Sequence, residues 1–234
     1  NIESNKRGEA VHPRAGDTSF ASFFLQRCTQ CKRCTEECPF GALNEDVKGT
    51  PQYNPLRCRR CGICMGACPE RIISFPEYSV DGVASMVKAM EVPEDYEEKP
   101  RILVLMCEND ALPALDAAAA KRAQWNSWMR IIPVRCLGSC NTVWIADALS
   151  RGIDGVILIG CKSGDDYQCH YVRGSELANY RLGNIQETLE RLVLEGDRIK
   201  VVELAHDEFH RVPEVLDEFA EKIEELGANP YKGF

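Results

Sequence analysis

The sequence lacks three features that would direct its interpretation elsewhere: a long apolar run, an excess of basic residues and a glycine-rich dinucleotide motif. No apolar stretch approaches the roughly 18 residues needed to cross a bilayer, so any membrane contact is expected to go through another subunit. The formal net charge is -8, which argues against nucleic acid as a partner because phosphate binding requires a basic face. No G-x-G-x-x-G motif follows a predicted strand, so no dinucleotide site is predicted.

The start of the chain also lacks a recognisable targeting signal. No basic segment followed by an apolar one is found there, and the first residue is Asn1 rather than Met. We therefore expect a processed product or the C-terminal part of a longer protein. Residues 1–20 form a polar segment, and "DTSFASFFLQR" (17–27) predicts a short helix capped by Asp17 or Thr18.

Cysteine, in contrast, is abundant. The chain has 13 cysteines, eight of them between Cys28 and Cys68 and five between Cys107 and Cys169. The count is odd, and many cysteines are separated by only two residues, a spacing poorly suited to mutual disulfides. These patterns predict metal ligation in a reducing, cytoplasmic compartment rather than a disulfide scaffold.

The first eight cysteines belong to an internal repeat with a period of 30 residues. "CTQCKRCTEECPFGAL" aligns with "CRRCGICMGACPERII" at every cysteine and at the proline after the fourth. Each copy reads C-x2-C-x2-C-x3-C-P, the bacterial ferredoxin signature for a [4Fe-4S] cluster.

In two-cluster domains the fourth cysteine of each motif ligates the other cluster. We therefore predict two [4Fe-4S] clusters with exchanged ligands. Cluster 1 takes Cys28, Cys31, Cys34 and Cys68, and cluster 2 takes Cys58, Cys61, Cys64 and Cys38. The alternatives are purely structural thiols and zinc, but zinc sites need one set of four ligands rather than two interleaved sets.

The second half of the chain has a different pattern. Four short apolar runs predict strands: 101–106, 129–134, 155–160 and 199–205. Segments with helical character separate or follow them: 111–126, 142–152, 173–195 and 208–226. This alternation predicts βαβ units and a parallel sheet buried on both faces.

The fold class predicted is an α+β ferredoxin-like two-cluster domain followed by an α/β domain with a parallel sheet of about four strands. The first domain covers residues 21–76. Residues 77–100 form a helix, "DGVASMVKAM", and an acidic linker, "PEDYEEKP". The α/β domain covers residues 101–234.

The last five cysteines follow the carboxyl ends of predicted strands, the sheet edge where ligands bind in open α/β folds. They are Cys107, Cys136, Cys140, Cys161 and Cys169. We expect a third iron–sulfur centre there. The alternatives are buried core thiols, a redox disulfide and a zinc site. His170 could donate a nitrogen ligand, although a loop histidine more often has no such role.

The second half resembles the delta subunit of methyl-viologen-reducing hydrogenase, a family that binds a [2Fe-2S] cluster. The resemblance rests on the strand ending in Cys107, on "CLG", on "DGVILIGC" and on "CHY". In that family a second cysteine follows the first by three positions, where this chain has Asp110, and the loop "CKSGDDYQC" is two residues longer here. The resemblance implies the ligands Cys107, Cys136, Cys161 and Cys169, with Cys140 as a substitute for the missing cysteine.

Nearly the whole chain resembles the C-terminal part of heterodisulfide-reductase A-type proteins, in particular the B subunit of the quinone-interacting membrane-bound oxidoreductase (Qmo) complex. "QRCTQCKRCTEECPFGAL", "RCRRCGICMGACPERIISF" and "NPYKGF" carry this likeness. Family members have an N-terminal FAD domain, so FAD is expected in a part absent here.

The resemblance implies an electron-transfer segment of an oxidoreductase in anaerobic sulfur metabolism, with no catalytic side chain of its own. It also implies membrane association through partner subunits, with adenylylsulfate reductase as one further partner. Two other functions remain open: a thiol/disulfide enzyme or sensor that uses the last five cysteines, and a free-standing ferredoxin-like carrier.

Overall fold

The computed structural model describes residues 19–93, 100–164, 169–183, 185, 189 and 193–232. The cap predicted at Asp17 or Thr18, nearly all of the N-terminal polar segment and the core of the acidic linker lie outside these described residues.

The cysteine-rich half is built from two similar units, each with a loop, a short helix and a short strand. The helices are α1, Arg33–Glu36, and α2, Ile63–Ala67. The strands are β1, Ser22–Phe23, β2, Leu43–Glu45, β3, Pro51–Tyr53, β4, Ile73–Phe75, and β5, Tyr78–Ser79. β2 pairs with β3, and β4 lies between β1 and β5, all antiparallel.

The helix predicted over 17–27 is wrong for its described part. Ser22 and Phe23 pair with β4 as a strand, and the amide of Phe24 donates to the carbonyl of Ile72 at 2.9 Å. Only Leu25–Arg27 turns, as a short 3-10 helix. Pairing with β4 outweighs local helix preference because the edge of β4 would otherwise have unpaired backbone groups.

The helix predicted in "DGVASMVKAM" is confirmed as α3, Val80–Lys88. It begins at a cap, since the Ser79 hydroxyl accepts a hydrogen bond from the amide of Gly82 at 2.9 Å. Its buried face consists of Val80, Val83, Ala84 and Val87, the spacing expected of one helical stripe.

The parallel sheet of four strands is confirmed. Its strands are β6, Ile102–Cys107, β7, Met129–Val134, β8, Gly155–Cys161, and β9, Ile199–Leu204. They lie in the order β7-β6-β8-β9, and all neighbours are parallel. Every residue of β6 and β8 is buried, as central strands covered on both faces require.

Helices connect or follow these strands: α4, Ala111–Ala120, α5, Thr142–Ser150, α6, Gly174–Gly183, and α7, Arg211–Leu226. α4 ends earlier than predicted, and Arg122 just beyond it has a left-handed φ of 59°. α6 covers the start of the helix predicted over 173–195, whose later part lies mostly outside the described residues. The part of the chain that the structure describes contains no helix with the length and hydropathy of a membrane span.

The amino edge of the sheet is closed by a buried ion pair. Asp154 accepts from the amide of Arg101 at 2.7 Å, from the amide of Asn229 at 2.7 Å and from Nζ of Lys232 at 2.8 Å. Asp154 and the Lys232 side chain are almost fully buried. The segment "NPYKGF", singled out in the sequence, therefore contributes Asn229 and Lys232 to the edge opposite the cysteines.

Replacing Asp154→Ala should lower the free energy of unfolding by about 3–5 kcal/mol, because it removes the buried carboxylate that pairs with the ammonium of Lys232. The control is Asp197→Ala, whose exposed pair with Lys222 should change stability by no more than about 0.5 kcal/mol. Urea unfolding of both variants measures the difference. Equal losses would contradict the role given to Asp154.

Candidate metal centres

The two cysteine loops have the same backbone conformation, which explains why their sulfurs converge. Left-handed φ angles recur at positions 30 residues apart: two pairs turn the chain between successive cysteines, and a third turns it after the fourth cysteine of each motif. The pairs are Gln30 and Arg60 (φ 56° and 57°), Lys32 and Gly62 (64° and 81°), and Gly41 and Arg71 (57° and 55°). Non-glycine residues rarely adopt this conformation, so its recurrence indicates that both loops are shaped for one purpose.

The first thiol set lines a single small cavity. Its members are Cys28, Cys31, Cys34 and Cys68, the four predicted for cluster 1. Three come from the first repeat and Cys68 comes from the second. Cys31 is exposed, whereas Cys34 and Cys68 are buried, so this cavity opens towards solvent on the side of Cys31.

The second thiol set lines a second small cavity. Its members are Cys58, Cys61, Cys64 and Cys38, the four predicted for cluster 2. Here Cys38 comes from the first repeat, so the structure brings together the exchanged sets. That these thiols ligate iron stays a prediction.

The donor chemistry of both sets fits a [4Fe-4S] cluster, which is held by four thiolates. Among the described residues, no three His, Cys, Asp or Glu side chains are placed to hold a single metal ion. Each thiol set instead contributes four cysteines to the lining of one cavity. The four sulfurs of each set would hold the cluster at its iron atoms.

Burial makes ionisation of several of these thiols unfavourable. It raises the pKa of Cys34 and of Cys61 to about 12 each, and repulsion from neighbouring cysteines adds to the rise. The pKa of Cys64 is raised well above its usual value by burial and by repulsion from Cys61, and Cys34 of the first set adds to that rise. The two sets are therefore electrostatic neighbours, and metal binding must displace protons from them.

The third thiol set lies at the carboxyl edge of the parallel sheet. Cys107 ends β6 and Cys161 ends β8, and their sulfur atoms are 3.6 Å apart. β6 and β8 flank the point where the strand order reverses, which is where open α/β sheets bind ligands. Cys169 hydrogen bonds with both Cys136 and Cys161.

Hydrogen bonding divides the protons unevenly within the third thiol set. The thiols of Cys136 and Cys161 lower the pKa of Cys169 to about 2 by hydrogen bonding to its sulfur. The same bond and burial raise the pKa of Cys136. Hydrogen bonding with Cys161 lowers the pKa of Cys107 as well, so Cys169 and Cys107 lose their protons more readily than Cys136. The third thiol set comprises Cys107, Cys136, Cys161 and Cys169.

Cys140 takes no part in these sulfur contacts in the described structure. Burial raises the pKa of its thiol, and the guanidinium of Arg181 opposes that rise. The structure thus brings the four cysteines of the predicted set together, and Cys140, the proposed substitute, lies outside their sulfur contacts.

Asp110, at the position where the family has a cysteine, is buried. Its Oδ1 lies 3.7 Å from Nε2 of His170 and 3.8 Å from Nδ1 of His206, and its Oδ2 has no hydrogen-bond partner in the described structure. The loop histidine His170 therefore faces a carboxylate, and His206, which the sequence analysis did not single out, faces the same group.

The second and third thiol sets are joined by close backbone packing. α2, which carries Cys64, packs against the 3-10 turn Leu137–Ser139 between Cys136 and Cys140. A Cβ at Gly66 would lie 2.6 Å from the carbonyl oxygen of Gly138, so only glycine permits this approach. Repulsion from Cys61 adds to the raised pKa of Cys136, so the second and third sets are electrostatic neighbours.

No sequence signal indicates the charged pair at this junction. The guanidinium of Arg181 and the carboxylate of Glu37 form an ion pair, with only 10% and 17% of the two side chains exposed. Arg181 lies in a polar helix and Glu37 in a charged loop, and residues of both kinds are usually solvated. Only the packing of the two halves reveals their position.

Two family models match the chain. The model "Methyl-viologen-reducing hydrogenase, delta subunit" matches residues 102–227, and the model "4Fe-4S dicluster domain" matches residues 27–73. The first covers more than half of the chain and includes all five C-terminal cysteines. The second includes all eight cysteines of the repeat.

Curated relatives fall into two groups. The chain is 25% identical over 201 residues to the A subunit of the ferredoxin/F(420)H(2)-dependent CoB-CoM heterodisulfide reductase of Methanosarcina acetivorans, covering 86% of this chain and 25% of that protein. It is 32% identical over 136 residues to the iron-sulfur D subunit of the F420-non-reducing hydrogenase of Archaeoglobus profundus, covering 58% of this chain and 96% of that protein. The corresponding vhu protein of Methanocaldococcus jannaschii is 29% identical over 133 residues, 57% of this chain and 97% of that protein. The chain thus spans about a quarter of the reductase protein.

The exchange of ligands between repeats can be tested by pairing cysteine substitutions. Cys28→Ala with Cys68→Ala removes two members of one set, so about four irons of the other [4Fe-4S] cluster should remain. Cys28→Ala with Cys38→Ala damages both sets and should leave neither cluster. Iron analysis after anaerobic purification compares the two double variants. More iron in the variant with Cys28→Ala and Cys38→Ala than in the variant with Cys28→Ala and Cys68→Ala would mean that each repeat binds its own cluster.

The third thiol set can be tested through Gly174. A Cβ added there would contact the Cys136 sulfur and lie 3.1 Å from that of Cys169, so Gly174→Ala should abolish iron binding at this set and leave the other two sets loaded. The control is Gly183→Ala at the other end of α6, where no described residue outside the neighbouring backbone of that helix lies within 4 Å of the added carbon. Iron content and the visible spectrum are the measurements. Full iron retention in Gly174→Ala would contradict a centre at these thiols.

Proposed function

The chain belongs, through residues 102–227, to the methyl-viologen-reducing hydrogenase delta-subunit family, and from this premise we propose that it is an iron–sulfur electron-transfer segment of a multisubunit oxidoreductase. One observation carries the proposal. Three sets of four cysteines lie next to one another. Cys34 of the first set adds to the raised pKa of Cys64 in the second set. Cys61 of the second set adds to the raised pKa of Cys136 in the third. Such a row suits conduction of electrons through the chain.

When bound, iron–sulfur clusters supply single-electron transfer at potentials set by charge, hydrogen bonding and exposure. The chain's own residues hold, shield and space the thiols. The buried thiols of the third set exclude water, and the exposed Cys31 of the first set marks the side on which another redox protein can approach. No residue is assigned the role of acid, base or nucleophile.

We propose further that the complex is of the heterodisulfide-reductase or Qmo type and acts in anaerobic sulfur metabolism. In this proposal two [4Fe-4S] clusters occupy the first two sets and a [2Fe-2S] cluster the third. FAD belongs to a part of the protein outside this sequence. Electrons pass between flavin, a quinone-linked membrane protein and a soluble partner such as adenylylsulfate reductase, and the chain is cytoplasmic and attached to the membrane through its partners. The likeness to the A subunit of heterodisulfide reductase supports the coarser part of this proposal.

A second candidate function is thiol–disulfide chemistry at the third set. The 3.6 Å separation of the Cys107 and Cys161 sulfurs supports it, since a small movement would allow a bond between them. In that case the thiols would react with substrates and would not ligate iron.

Protein purified without oxygen should contain about eight irons from two [4Fe-4S] clusters, or about ten if a [2Fe-2S] cluster is also present. Dithionite reduction should produce the EPR signals of reduced clusters. Alkylation of the loaded protein separates the two candidate functions: ligating cysteines stay protected, whereas reactive thiols are modified at Cys107, Cys161 or Cys169. Far fewer than eight irons, without an EPR signal, would exclude electron transfer as proposed.

A further inference from the structure

The buried guanidinium of Arg181 lies where the second and third thiol sets meet. We propose that Arg181 is the positioning residue that joins these two centres, holding their backbones together and placing a fixed positive charge beside both. The proposal rests on the proposed function, because it assigns the charge a role only if the thiols hold redox centres.

The hydrogen bonds of Arg181 reach the segments that carry both sets. Nη1 donates to the carbonyl oxygen of Gly138 at 2.5 Å and to that of Cys140 at 3.3 Å. Nη2 donates to the carbonyl oxygen of Ile63 at 3.3 Å and to the carboxylate of Glu37. One side chain therefore binds the turn after Cys136, the helix that carries Cys64, and the residue before Cys38.

The space around the guanidinium is shaped for it. A Cβ at Gly66 would lie 2.5 Å from Nη1 of Arg181, so the glycine that permits the close approach of the backbones also makes room for the charge. The planar guanidinium can donate in several directions at once and stays charged at all working pH values. A lysine ammonium provides the same charge but not the same fork of donors.

The charge acts on its surroundings. Burial raises the pKa of the Cys140 thiol, and Arg181 counteracts part of this effect. A centre ligated by four thiolates gains negative charge on reduction, and a buried cation nearby favours the reduced form because charges interact strongly where water is excluded. Glu37, with its opposite charge, disfavours reduction at the same place.

The two members of the ion pair should therefore shift the reduction potentials in opposite directions. Arg181→Met, which removes the positive charge, should make at least one centre harder to reduce by about tenfold in its equilibrium, which is about 59 mV for a one-electron couple. Glu37→Gln, which removes the negative charge, should make reduction easier. Arg181→Lys, which keeps the charge, should shift the potential by less than half as much as Arg181→Met.

Arg198 provides a matched control. It is also a buried arginine paired with a glutamate, since its Nε lies 2.6 Å from Oε2 of Glu195. It donates to the carbonyl of Asp154 at 3.0 Å, at the sheet edge opposite the thiols. Arg198→Met should lower stability without moving any potential.

The experiment is an anaerobic, EPR-monitored redox titration of the iron-loaded wild type and the four variants, with iron content determined for each. Shifts of the same sign in Arg181→Met and Glu37→Gln would overturn the proposal, as would a shift in Arg198→Met equal to that in Arg181→Met. If Arg181→Met does not fold, the other two variants still test the proposal. An unchanged reduction potential in Glu37→Gln, or a large fall of the potential in Arg181→Lys, contradicts the role of the charge. Failure of the wild type to bind iron contradicts the proposed function instead.

Discussion

The arrangement of the whole molecule depends on one near-contact between backbones, where α2 meets the turn Leu137–Ser139. Side chains at Gly66 or Gly138 would prevent it: a Cβ at Gly138 would lie 2.9 Å from a side-chain carbon of Ile63. Asn141 reinforces the contact by donating to the carbonyl of Cys68 at 3.2 Å, and the indole of Trp144 donates to the carbonyl of Val80 at 2.8 Å. These bonds join the repeat to the sheet domain, and so bring the second thiol set beside the third.

The burial of the thiols explains how metal binding and folding are connected. In the absence of metal, burial and mutual repulsion raise the pKa values of Cys34, Cys61 and Cys64, so these groups carry protons. A cluster must replace those protons, and its iron ions supply positive charge next to the thiolates. Metal affinity therefore falls as pH falls, and much of the binding free energy contributes to the stability of the fold.

The sequence predicted most of the repeated cysteine motifs and most of the strands that are buried on both faces. The strands β6 and β8 agree with the prediction to within a residue, because uninterrupted apolar runs have few other solutions in an α/β pattern. The exchanged thiol sets follow from the period of 30 residues. The helix over 17–27 is wrong because pairing with β4 lies 50 residues away in sequence, and local preference carries no information about it.

The pair of Arg181 and Glu37 could not be predicted for a related reason. Their residue types are common on surfaces, and only the junction between the two halves removes them from water. Cys140 shows the same limitation, since its spacing from Cys136 suggests a ligand and only the turn between them directs it away from the other sulfurs.

The exchange of Cys38 and Cys68 has a consequence for how such a chain could have originated. A peptide with one repeat carries three thiols for one cavity and the fourth for another, so alone it completes neither. Two identical copies related by a twofold axis would complete both, as in a closed homodimer with a self-complementary interface. The internal repeat of this chain fits a duplication of that kind, in which covalent linkage takes the place of association and each copy can have different neighbours.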